Sequence, residues 1–188
     1  KYFDLSVLWC AWMGFSLPFE QEIFPHETEF EEDMARALRE LARVLRPGRS
    51  VTVNFATRYT EQINALRGAI ERSGLEWVGT QAIQQDQLSF VQRQTDLALK
   101  ANYLLTLQKS GEAAATEAVP VTAECVAGMI HALLNRTGPL SYDEIFQHLY
   151  PEIAQRPLHC DILSVLRQSF QMVDERRPYA EPRWAVRA

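Results

Sequence analysis

The chain has 188 residues, of which 47% are hydrophobic and 23% charged, which suits a protein with a hydrophobic core and excludes disorder throughout. Its net charge of -5 argues against a protein whose whole surface binds nucleic acid, because phosphate binding needs clustered Lys and Arg. No apolar run approaches the roughly 20 residues that cross a bilayer, and the first residues lack the basic start of a secretory leader, so we expect a cytoplasmic protein without a membrane partner.

The first predicted element is a short helix inside the opening segment "KYFDLSVLWCAWMGF". Asp4 is its expected cap, and the apolar residues after it recur at helical spacing. Gly14 is expected to end the helix, because glycine readily adopts the left-handed conformation that often follows a helix.

Helices and strands then alternate. A helix that begins with a Thr28 and Glu31 capping box is stopped by Pro47 and Gly48, and the alternating segment "SVTVNFA" predicts a strand. Another helix follows, and "LEWVGTQAI" and "NYLLTLQ" predict two more strands. This order implies a parallel sheet with helices packed on it. A parallel sheet of only three strands would leave one face and one edge without a packing partner, so we expect further strands upstream of Lys1.

A second unit is predicted at residues 121–188, after a linker of small and polar residues at 111–120. It begins with three short helices, of which the second starts with a capping box at Ser141 and the third runs from about His159 to Phe170. The runs "FQMV" and "RWAV" then bracket a charged turn. Three small helices and a hairpin are the outline of a small winged-helix-like α+β domain, a relative of the helix-turn-helix.

Arginines outnumber acidic residues from Arg156 to the end of the chain, so DNA is the partner that this unit suggests. Arg176 and Arg177 lie at the tip of the predicted hairpin and resemble a wing that contacts the DNA backbone. Arg167 and Gln168 on the third helix are the expected base-reading positions. The alternative is that the arginines only keep an exposed turn soluble.

The cysteines predict neither a disulfide framework nor a metal site. Cys10, Cys125 and Cys160 are far apart, and none belongs to a Cys-x-x-Cys motif. His159 and Asp161 flank Cys160, but adjacent residues on a helix point in different directions, so we expect no metal site there.

The segment "ALRELARVLRPGRSVTVNF" resembles the helix, Pro-Gly turn and fifth strand of class I S-adenosylmethionine-dependent methyltransferases. In that fold a helix and a terminal strand pair follow, similar to "TEQINALRGAIERSGLEWVG" and "ALKANYLLTLQK" here. The opening "YFDLSVLWCAWMGF" resembles the stretch after the Asp-Pro-Pro-Tyr motif of a group of bacterial DNA adenine or cytosine amino-methyltransferases. Residues 1–110 are thus predicted to be the C-terminal strands and helices of a Rossmann-like methyltransferase sheet, within an α/β protein.

The resemblance implies transfer of a methyl group from S-adenosylmethionine to the exocyclic amine of adenine (N6) or cytosine (N4) in DNA. The glycine-rich cofactor loop and the Asp-Pro-Pro-Tyr motif of that family do not occur in the chain. We expect both, and the catalytic residues, upstream of Lys1 in a missing N-terminal half of the same domain. The fragment alone is then expected to be inactive and not to bind the cofactor.

Substrate-pocket candidates lie in two places. By the resemblance, Tyr2, Asp4 and Ser6 would line a pocket wall beside the catalytic motif. Thr57 and Arg58 follow the first predicted strand, at the carboxyl edge where open α/β sheets bind ligands. Two other functions stay open: a non-catalytic module that binds DNA or docks a protein, and a methyltransferase of this fold that acts on a small molecule or a protein.

Overall fold

A computed structural model describes residues 10–16, 29–84, 99–109, 119–173 and 182–187, and these are the described residues. The protein is a mixed α/β structure with two small antiparallel sheets. In chain order, the elements with their bounds are α1 (Phe30–Val44), β1 (Ser50–Phe55), α2 (Thr60–Glu71), β2 (Leu75–Gln84), β3 (Ala101–Lys109), α3 (Ala123–Thr137), β4 (Leu140–Ser141), α4 (Tyr142–Ile153), α5 (Ile162–Ser169), β5 (Phe170–Val173) and β6 (Arg183–Val186). We call α1 to β3 the sheet unit and α3 to β6 the C-terminal unit.

The sheet unit contains a three-stranded sheet in the order β1-β3-β2. The central strand β3 is antiparallel to both neighbours, with Phe55 opposite Tyr103 in one pair and Ala82 opposite Tyr103 in the other. The expectation of a parallel sheet is therefore wrong for neighbouring strands. β1 and β2 do run parallel to each other, joined through α2, but β3 lies between them in the opposite direction.

The hydrophobic core lies on one face of this sheet. On β3 the side chains of Tyr103, Leu105 and Leu107 are fully buried, whereas the residues between them are half-exposed, as the period of two in a strand requires. They belong to the same core cluster as Leu38 of α1 and Leu66 of α2. One face of each helix therefore packs on the same core as β3.

The turn at Gly14 confirms the predicted end of the first helix. Residues 10–13 are helical, Gly14 has a φ of 73°, and the Phe15 amide donates to the Cys10 carbonyl at 2.9 Å. This bond closes the helix as in a Schellman motif, in which glycine takes the left-handed conformation. The predicted cap Asp4 lies outside the described residues.

The C-terminal unit contains three helices and a small sheet in the order β4-β6-β5, all antiparallel. The predicted capping box is confirmed, because the Ser141 and Glu144 side chains each accept a hydrogen bond from the other residue's backbone amide. Both strands of the predicted hairpin are present as β5 and β6, with Met172 opposite Trp184. The tip of that hairpin, residues 174–181, lies outside the described residues.

The third helix of the C-terminal unit is shorter than the sequence predicts. α5 spans Ile162–Ser169 rather than starting near His159. The Asp161 carboxylate accepts hydrogen bonds from the Ser164 amide at 2.9 Å and hydroxyl at 2.7 Å, which fixes the start of the helix. Phe170 is already extended as the first residue of β5.

None of the helices in the described ranges has the length and apolar character that crossing a membrane requires.

Removing buried side-chain volume from β3 tests which face of the sheet forms the core. Leu105→Ala should lower the free energy of unfolding by about 2–5 kcal/mol, because it removes fully buried methyl groups and leaves a cavity. The matched variant Leu104→Ala, on the half-exposed face of the same strand, should lose less than half as much. Urea unfolding of both variants measures the difference, and equal losses would contradict the assignment of faces.

Candidate functional site at the carboxyl edge of the sheet

The loop between β1 and α2 carries the two described pocket candidates, Thr57 and Arg58. Thr57 is only 6% exposed. Its hydroxyl donates to the Gln62 side-chain oxygen and accepts from the Tyr59 amide at 3.2 Å. These bonds hold the turn from strand to helix, so the Thr57 hydroxyl is engaged in local structure.

Arg58 lies where the two units meet. Its guanidinium carbon is 5.4 Å from the centroid of the Tyr59 ring, a cation–π contact. It also lies within electrostatic reach of Tyr142, the first residue of α4: burial raises the pKa of the Tyr142 phenol well above its usual value, the Asp161 carboxylate raises it further, and Arg58 opposes the rise.

The turn before α5 is bonded to the first turns of α2. The Thr60 hydroxyl donates to the Cys160 carbonyl at 3.0 Å. The Asn64 side chain makes two bonds to the backbone of Leu158: its amide nitrogen donates to the carbonyl at 2.8 Å, and its oxygen accepts from the amide at 2.9 Å. Because α2 begins at the carboxyl end of β1, these bonds hold the C-terminal unit at that edge of the sheet.

A buried carboxylate makes the second polar contact between the units. Asp143 of α4 is only 5% exposed, and its two oxygens accept hydrogen bonds from the Lys100 amide at 2.8 Å and the Gln147 side chain at 2.6 Å. Lys100 comes just before β3, whose start lies beside the end of β1 because the two strands are antiparallel. The bond therefore lies at the same edge of the sheet.

Aromatic rings fill the space between the sheet and α4. The Tyr103 ring centroid lies 4.0 Å from that of Tyr150 and 5.8 Å from that of Phe146. Burial raises the pKa of Tyr103 far above its usual value, and the charge of Asp143 adds to the rise, so the phenol stays neutral. Within the described part of the chain, the hydroxyls of Tyr103 and Tyr150 make no hydrogen bond.

The two described DNA-binding candidates lie on the outer face of α5. Arg167 and Gln168 are exposed, while Ile162, Val165 and Leu166 form the buried face of the helix. A further exposed arginine lies beside them: the Arg187 guanidinium donates to the Arg167 carbonyl at 3.2 Å. This neighbour could not be recognised from the sequence, because the contact depends on how β6 returns past α5.

Five other candidates lie outside the described residues, namely Tyr2, Asp4, Ser6, Arg176 and Arg177. Sequence analysis also missed two residues that matter at the edge. In the sequence, Asp143 looks like an ordinary acidic residue in the first turn of a helix. Asn64 looks like an ordinary polar residue within a helix. Neither position carries a local signal of burial, since their partners come from distant parts of the chain.

The described polar groups of this edge bind one another rather than leave a set of free donors. Thr57 binds Gln62, and Asp143 binds the Lys100 amide and Gln147. No group of three or more His, Cys, Asp and Glu in the described ranges lies close enough to hold a metal ion. What these bonds do is join the two units at this edge.

Comparisons of the chain with protein-family models, with curated proteins and with solved structures found no match.

The capping box of α4 should make stability depend on pH. Burial by itself would raise the pKa of Glu144, but hydrogen bonds from Ser141 and the positive charges of Arg183 and Lys100 outweigh it, and the pKa lies below its usual 4.5. The folded state is then stabilised above about pH 4.5, and this stabilisation is lost as the pH falls through the lower folded pKa.

Glu144→Gln should remove this acidic dependence, because the amide keeps the capping geometry but does not titrate. Urea unfolding at a series of acidic pH values measures it, with Glu124→Gln, exposed in the first turn of α3, as the matched control. Identical pH slopes for wild type and Glu144→Gln would show that Glu144 does not contribute.

Proposed function

We propose that this chain is the C-terminal part of a bacterial DNA amino-methyltransferase, which transfers a methyl group from S-adenosylmethionine to the exocyclic amine of adenine or cytosine. The cofactor and catalytic motifs would lie in an N-terminal half of the same Rossmann-like domain. In this proposal the described residues supply the outer strands of the sheet and a winged-helix-like unit that holds DNA.

The order of the elements supports the methyltransferase part of the proposal. α1, the Pro47-Gly48 turn, β1, α2 and the β2–β3 pair follow one another in the order that the resemblance implies. The parallel pair β1 and β2, connected through a helix, is the usual unit of α/β sheets, and a reversed strand within such a sheet is common. Among the described strands β1 pairs only with β3, and a larger sheet would continue on the other side of β1.

The observation that carries the DNA part is the position of α5. Its exposed face bears Arg167 and Gln168, and its start is bonded through Cys160 to α2, at the carboxyl edge where open α/β sheets bind ligands. A helix that reads bases would thus lie beside the pocket that receives the target base.

Charge limits where DNA can approach. The net charge is -5, so binding has to concentrate on one face. Asp161 is exposed at the start of α5 and would repel phosphates there, whereas Arg167 and Arg187 lie together at its end. We therefore expect DNA to contact the C-terminal half of α5. Gln168 there could make the paired hydrogen bonds that an amide forms with adenine.

Variants of α5 test the DNA contact in the protein with its upstream half. Arg167→Ala should weaken binding about equally for all sequences and lower the slope of log affinity against log salt by about 1, as loss of one phosphate contact does. Gln168→Ala should instead relax base preference, by about 1–3 kcal/mol at one position. Fluorescence anisotropy with labelled duplexes measures both.

The matched control is Arg43→Ala, an exposed arginine of α1 that pairs with Glu40 in the sheet unit. An Arg167→Ala protein with the same affinity and salt slope as Arg43→Ala would contradict the proposal.

Methyl transfer separates the proposal from its alternatives. The full-length protein should move a labelled methyl group from S-adenosylmethionine to duplex DNA. Binding of DNA without transfer would favour the non-catalytic module, and transfer only to a protein or a small molecule would favour a methyltransferase with another substrate.

A further inference from the structure

We infer that Asn64 and Asp143 are positioning residues: together they fix the C-terminal unit against the sheet, so that α5 keeps one orientation at its carboxyl edge. The consequence for DNA recognition rests on the proposed function. The fixed arrangement itself does not, because it follows from contacts between the two units.

Asn64 acts on the backbone just before α5. A carboxamide offers one donor and one acceptor in the geometry of a peptide group, and here it binds both the amide and the carbonyl of Leu158. Leu158 is itself buried and forms a parallel bridge with Val121. Asn64 therefore ties α2 to a small backbone network that joins the start of the C-terminal unit to the turn before α5.

Asp143 acts at a second place. A carboxylate that is 5% exposed needs hydrogen bonds to offset its desolvation, and one of its donors, the Lys100 amide, belongs to the sheet unit. Removing the carboxylate would leave that amide without its acceptor. α4 is thereby tied to the start of β3.

Between these two sets of hydrogen bonds lies an apolar contact, which attracts the two units to each other but does not fix their relative orientation. Tyr103 packs against Phe146 and Tyr150, and such burial is favourable in many relative orientations. Hydrogen bonds depend on angle, so bonds from α2 and from the residue before β3 restrict the rotation that the rings alone would permit. Because α5 begins soon after Leu158, the same bonds set the direction of Arg167 and Gln168.

Amide hydrogen exchange tests this arrangement in the full chain. Asn64→Ala should speed exchange of the Leu158 amide about tenfold, the factor for a net loss of about 1.4 kcal/mol. If the units move as one body, exchange of the Lys100 amide should also rise, although Asp143 is intact. Asp143→Ala should produce the reciprocal effect at Leu158.

Conservative variants separate positioning from a general loss of stability. Asn64→Asp and Asp143→Asn each keep the acceptor for the partner's amide, so they should restore most of the protection of that amide. Asn135→Ala, which removes an exposed asparagine bonded to His131 within α3, is the matched control and should change neither amide. Should Asn64→Ala fail to fold, Thr60→Val, which removes the bond to the Cys160 carbonyl, is the second variant and should also speed exchange at both amides.

The inference is overturned if each alanine variant changes only its own partner amide. In DNA binding, Asn64→Ala should weaken affinity although Arg167 and Gln168 are unchanged, and Asn64→Asp should recover part of the loss. If the wild-type protein binds no DNA, the proposed function fails, while the exchange result still decides whether the two units are fixed.

Discussion

The contact of Tyr103 with Phe146 and Tyr150 is the interaction on which the arrangement of the molecule depends. Tyr103 lies on the central strand of the first sheet, and the two other rings belong to the second helix of the C-terminal unit. Through them the buried residues of both units form one continuous core. Close-packed interiors of this kind resist separation, so this apolar contact holds the C-terminal unit against the sheet.

Polar contacts at the carboxyl edge of the sheet then restrict the relative orientation of the two units. Asn64 and Asp143 are the kind of residues that a search for catalytic groups would select at a sheet edge, yet each binds backbone amides or carbonyls from another part of the chain. Thr57 is engaged in the same way with its own loop. The described polar residues of this edge therefore hold parts of the chain together, and in the proposed function the chemistry would belong to other residues.

The distribution of charge along α5 is compatible with the proposed contact to DNA. An acidic protein can still bind DNA if one small surface carries the cations, and Arg167 and Arg187 meet at the end of α5 while Asp161 occupies its beginning. A helix with an acidic start and a basic end orients an approaching phosphate backbone toward one end. In the proposed function, the substrate pocket and a DNA-binding α5 would then be held by the same contacts.

The sequence by itself determined the helices, the strands and those ends that depend on local chemistry, such as the capping box at Ser141 and the left-handed turn at Gly14. The capping box expected at Thr28 and Glu31 was wrong, because α1 begins at Phe30 with Glu29 as its N-cap and without a side-chain cap hydrogen bond. Only the tertiary structure decided that β3 runs between β1 and β2, that Asp143 is buried and that Asn64 binds Leu158. These features join residues far apart in the chain, and no local pattern specifies which distant partner a strand edge or a polar side chain will meet.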